Sequence, residues 1–173
     1  MTHSHKMFDP IVPDATLIDI RDIAHALSML CRANGHFRSF YSVGQHSINC
    51  ALEAKARGLS RRVQLGCLLH DASEAYLADV TRPVKQELPR YKEIEEPLQQ
   101  TIWQTFMGTA PDAEETRLIF AIDDDILLNE FPALMGRRIS KDIPRLQSTP
   151  QFAFTGFLPC EEEFLTLFSQ LRG

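Results

Sequence analysis

The adjacent pair His70-Asp71 closes the apolar run Leu65–Leu69 and carries more chemistry than any other feature of the sequence. Neighbouring helical positions diverge by about 100°, so the two side chains meet one ion only along a particular helix edge. An Asp beside such a run is costly to bury unless a cation answers it. His46 falls in the first turn of the preceding helix, and Asp123 lies inside the later run Leu118–Leu127. Neither residue type belongs on an apolar face without a partner. Two imidazoles and two carboxylates from three helices would suit one divalent ion, Mn, Fe, Co, Ni, Mg or Zn, with positions left open for water. Glu74 is one turn beyond His70 and Asp71, on the same edge, where it could orient a water or take its proton. Asp79 begins the following loop and could bring a second carboxylate to the same mouth.

The elements that must position these residues read as helices. Met1–Thr16, with Pro10 and Pro13 and no helical period, reads as an extended, mobile arm. Asp19 or Asp22 caps a helix running to about Ala33, which Gly35 ends. Ser42 and Gln45 form a capping box for a helix to about Ala56. Ser60 caps the next, which is expected to run without interruption through His70 to about Leu77. Asp79–Pro89 reads as a surface loop, and a helix from about Lys92 to Met107 follows. Asp112 and Glu115 make a second capping box, opening a long helix that ends near Met135. Arg137–Gly156 reads as loop, and Cys160–Leu171 as a final amphipathic helix. No strand alternation or repeat is present, so the expectation is an all-α protein, one domain over residues 1–173 with about six helices.

The order His46, His70-Asp71, Asp123 resembles the HD-domain metal-dependent phosphohydrolases. The similarity is nearest to the small single-domain branch that includes 5′-deoxynucleotidases and deoxynucleoside triphosphate hydrolases. It extends over about Ile18–Met135, through Tyr41-Ser-Val-Gly-Gln-His-Ser47, His70-Asp-Ala-Ser-Glu74 and Asp79-Val-Thr-Arg-Pro-Val-Lys85. The resemblance implies an HD-type helical bundle with one divalent metal ion held by His46, His70, Asp71 and Asp123. It implies Glu74 as the residue acting on the attacking water and Asp79 as a second acid/base or orienting carboxylate. Lys85 matches a phosphate-binding cation, and either Arg32 or Arg38 matches the arginine near the substrate. Of the run Asp123-Asp124-Asp125, Asp123 is preferred because Leu127, Glu130 and Leu134 then fall at the pattern's spacings. Gly44 stands where alanine is commoner. The expected activity is hydrolysis of a phosphate ester of a (deoxy)nucleotide; a non-catalytic nucleotide-binding regulator on the same helices is the alternative.

Composition limits the remaining choices. The formal charge of −5 over 173 residues argues against a protein that coats nucleic acid, and no nucleic-acid partner is expected. No apolar run approaches a membrane span, so no membrane association and a cytoplasmic setting are expected. A homodimer is compatible with the resemblance. The four cysteines (Cys31, Cys50, Cys67, Cys160) include no CxxC pair and read as small buried hydrophobes. His25, Trp103 and Phe106 read as core residues.

Overall fold

A computed structural model describes all residues, Met1–Gly173. Eight α-helices and two short 3₁₀ turns account for the fold, with no strand beyond an isolated bridge between Cys31 and Ser42. The helices are α1 (Ile20–Met29), α2 (Val43–Ala56), α3 (Arg61–Leu69), α4 (Glu74–Leu77), α5 (Arg82–Gln86), α6 (Pro89–Met107), α7 (Ala113–Met135) and α8 (Phe157–Arg172). No helix is long and apolar enough to cross a membrane.

The middle of the bundle is α2, which packs against α1, α3, α7 and α8. Ser42 caps it, its hydroxyl accepting from Gln45 N at 3.0 Å. The reciprocal half of the expected capping box does not form. Gln45 instead sends its amide to the carbonyls of Gln151 and Ala153. Asn49 and Glu53 act alike: Asn49 exchanges hydrogen bonds with the Gln151 backbone, and Glu53 accepts from the backbone N–H of Gln147 and Ser148. Buried polar groups on α2 therefore hold the irregular segment before α8 against the bundle, satisfying backbone that no helix serves.

Gly44 has a structural reason. A β-carbon there would stand 3.1 Å from the backbone C of Leu27 and N of Ser28, so its absence lets α1 and α2 approach closely. The capping box expected at Asp112 and Glu115 forms with both hydrogen bonds and opens α7.

Several sequence expectations are corrected. The first helix ends at Met29, and Arg32–Gly35 forms a separate turn in which Ala33 and Asn34 adopt left-handed backbone (φ 55° and 51°). The N-terminal segment is anchored: Ser4 N and Oγ donate to the Asp22 carboxylate at 2.6 and 2.7 Å, and His3 stacks on His25. Residues 79–89 are not all loop, because α5 lies within them, and α6 begins at Pro89 rather than at about Lys92. The last helix begins at Phe157, so eight helices replace the expected six.

The expected continuous helix from Ser60 to Leu77 is broken after Leu69. Across the break the backbone tightens to bonds three residues apart, Ala72 N to Leu69 O and Glu74 N to Asp71 O. Gln99 of α6 bridges it: its Nε2 donates to Leu69 O at 2.8 Å, and its Oε1 accepts from Ser73 N at 3.0 Å. One amide thus stands in for the helical bond between Ser73 N and Leu69 O that the interruption removes, serving the N–H and adding a second donor to the carbonyl.

Candidate metal centre

The break after Leu69 places His70 and Asp71 on a turn facing His46 of α2 and Asp123 of α7. His46 Nε2 lies 3.3 Å from His70 Nε2 and 3.1 Å from Asp123 Oδ1. His70 Nε2 lies 3.2 Å from Asp71 Oδ2 and 3.7 Å from Asp123 Oδ1, and His46 Nε2 is 3.9 Å from Asp71 Oδ2. Donor atoms about 2.1 Å from one ion, at angles of 90–109°, lie about 3.0–3.4 Å apart. Most of these separations fall in or just beyond that range.

The tautomers are set from behind. His46 Nδ1 donates to Glu130, and His70 Nδ1 donates to the Cys67 carbonyl at 2.7 Å. Both Nε2 atoms are left with lone pairs directed at each other and at two carboxylates. Such a convergence of acceptors calls for a cation, and an imidazole held by a carboxylate behind it is a common way to orient a metal ligand. Burial opposes protonation of His70, yet Asp71 and Asp123 outweigh it and hold its pKa well above the ordinary value. For His46, burial and Arg32 are outweighed by Glu130 and Asp123 in the same direction. The field that draws a proton to these rings is equally a field for a divalent ion.

A third donor type is present. Cys50 lies one turn beyond His46 on α2, and the buried trio His46, Cys50 and His70 offers donor atoms all within 4.8 Å of one another. This buried His-Cys-His group could hold a metal ion. Cys50 was expected only as a small hydrophobe; its i, i+4 spacing from His46 was the available signal.

A cleft of about 730 Å³ opens over His70, Asp71 and Asp123, between α6 and α7. Glu74 lines it and is buried, with Oε1 at 3.3 Å from Lys85 Nζ and Oε2 without any partner. Burial, then Asp71 and Asp79, push the Glu74 carboxyl well above the usual carboxylate range. Burial likewise raises Asp79, which accepts from Ala33 N at 3.2 Å. Lys85 also pairs with Glu95 at 2.7 Å.

The choice between the two arginines is geometric. Arg32 lines the cleft, reaching Glu130 at 3.0 Å, Asp71 at 3.5 Å and Asp123 at 3.6 Å. Arg38 is exposed, lies against Gly136 and is not part of the cleft wall. Asp123 faces inward, whereas Asp124 pairs with Arg82 at the surface and Asp125 with Arg57. His25 stays away from the centre and pairs with Glu161 at 2.9 Å. Sequence reasoning used Glu130 only for spacing, although an acid seven residues after Asp123 shares its helix face and so could have been seen.

No family model matches the chain. The uncharacterized protein YfdR of Escherichia coli K12 is 37% identical over 102 residues, 59% of this chain and 53% of its own length. An uncharacterized protein of Rhodobacter capsulatus is 38% identical over 100 residues, 55% of this chain and 51% of its own. The chain spans about half the length of the curated relatives it matches.

Proposed function

We propose that this protein is an HD-type metal-dependent phosphohydrolase acting on a (deoxy)nucleotide, with one divalent ion held by His46, His70, Asp71 and Asp123. The observation that carries the reading is the meeting of these four donors beneath a cleft that His70, Asp71 and Asp123 line and that also holds an unpartnered buried carboxyl oxygen, Glu74 Oε2. When bound, the ion supplies Lewis acidity to a phosphoryl oxygen and to an attacking water. Glu74, protonated readily in its buried setting, exchanges a proton with the water or the leaving oxygen. Arg32, held by Glu130, and Lys85 offset the charge of the phosphate. Asp79 is tied to Ala33 N and so steadies the turn that presents Arg32. Phe37, Phe120, Leu127 and Phe131 also line the cleft and offer apolar surface for a nucleobase. The cleft volume lies within the roughly 300–1,000 Å³ common for small-molecule sites.

A panel of nucleoside mono- and triphosphates, each assayed with Mn, Co, Mg and Zn and followed by product analysis, tests this. Release of phosphate or triphosphate by the wild type is expected, with kcat reduced about 10²–10⁴-fold in Glu74→Ala and nucleotide affinity kept within a few-fold. Tight nucleotide binding without turnover by any metal form would favour a binding regulator. Neither binding nor turnover across the panel would remove the nucleotide reading.

A further inference from the structure

We propose that Cys50 is a ligand of the same ion, so that the centre favours a thiophilic or borderline metal such as zinc, cobalt or ferrous iron over magnesium. This rests on reading the cluster as a metal site, and adds to it a donor that the His-His-Asp-Asp set lacks. Cys50 Sγ lies 3.5 Å from His46 Nε2, its single polar contact, and its donor atom is within 4.8 Å of both imidazole donors. Metal–sulfur and metal–nitrogen bonds of about 2.3 and 2.05 Å, at 90–109°, put the two donors about 3.1–3.6 Å apart. The observed distance falls within that span.

The direction of approach is also right for a ligand. Cys50 is 1% exposed and takes no part in the cleft wall, whereas His70, Asp71 and Asp123 line it. Sulfur therefore enters from the core side and leaves the cleft side open for water and substrate. His46 and Cys50 are one turn apart on α2, so one rigid helix presents both. On binding, the Sγ–H bond is replaced by a sulfur–metal bond and the proton leaves to solvent, with no change of oxidation state. Thiolate selects softer ions, where carboxylates alone would accept magnesium or manganese.

Cobalt(II) added to metal-depleted full-length protein provides the test, read by near-ultraviolet absorption and by elemental analysis. The wild type should bind one cobalt per chain and show a thiolate-to-cobalt charge-transfer band. Cys50→Ser should bind one cobalt without the band, and Cys67→Ser should keep it. Zinc affinity should fall at least about tenfold in Cys50→Ser, while manganese affinity stays within about threefold. X-ray absorption on the zinc-loaded wild type needs no variant and should show one sulfur at about 2.3 Å. A stoichiometric cobalt or zinc form with only nitrogen and oxygen neighbours, lost in His70→Ala, would overturn the cysteine proposal and leave the metal site standing. A wild type that binds no ion would remove both.

Discussion

Replacing Glu130 by glutamine probes the group that holds the centre from behind. Glu130 is fully buried; one oxygen accepts from Arg32 Nε at 3.0 Å and the other from His46 Nδ1. Glutamine keeps the volume but has a single acceptor oxygen, so its NH₂ must face either the guanidinium or the imidazole, donor against donor. Arg32 would then keep only its longer contacts to Asp71 and Asp123, at 3.5 and 3.6 Å. Removing one member of a buried ion pair costs about 3–5 kcal/mol. For 173 residues the unfolding entropy is about 0.36 kcal/mol per degree, so the midpoint should fall by about 8–14 °C. Thermal unfolding followed by circular dichroism in the presence of a chelator isolates this from metal loss. Metal affinity, measured by competition titration, should drop about 10–100-fold because His46 loses its orienting partner. A midpoint within about 2 °C of wild type, with unchanged metal affinity, would refute the assignment of Glu130 as the group that orders Arg32 and His46.

Three other substitutions separate neighbouring roles. Asp123→Asn should lower metal affinity more than 100-fold in titrations, on the order of a lost charged ligand, while Asp124→Asn and Asp125→Asn change it less than about threefold, since Asp125 pairs with Arg57 and Asp124 only with Arg82, which keeps its own 3.1 Å contact to Asp123. Equal losses at Asp123 and Asp124 would contradict the register. Gly44→Ala should destabilise by about 1–3 kcal/mol, because backbone of α1 must move away, despite alanine's higher helix propensity; a raised melting temperature would sink the close-approach argument. Glu53 is held at about 2, against an ordinary 4.5: burial works to raise it, and the hydrogen bonds from Ser148, Gln147 and Arg57 prevail. A depressed folded-state pKa adds stability above about pH 4.5 and loses it as pH falls toward 2, an effect of about 3 kcal/mol. The stability gap between wild type and Glu53→Gln should therefore shrink over that interval in acid titrations of unfolding, and a gap that stays constant would count against the clamp.

Helix starts were legible where one short segment supplies both the cap and its acceptor. Asp112 and Glu115 are three residues apart and complete their box without outside help. At Ser42 the hydroxyl half formed, but the Gln45 side chain went to Gln151 and Ala153, more than 100 residues away. The preference for Asp123 over Asp124 and Asp125 came from the resemblance, through its spacing to Leu127, Glu130 and Leu134, and the structure turns Asp123 toward His46 and His70. Nothing comparable distinguished Arg32 from Arg38. That choice depends on left-handed backbone at Ala33 and Asn34, which residue type alone does not require.

Local periodicity and capping chemistry by themselves determined that this chain is helical, where α2, α3 and α7 begin, and which His and Asp residues share faces with apolar runs. These are interactions within four or so residues, and every helix of that sequence would show them. Tertiary contacts decided the rest. Gln99 of α6 stabilises the break that turns His70 and Asp71 toward α2, although their own segment favours a continuous helix. Glu130 fixes His46, Gly44 admits α1 against α2, and the crossing of α2 with the turn at His70 brings Cys50 to the same donors. Each joins residues far apart in the chain, and their distances exist only once the helices have packed.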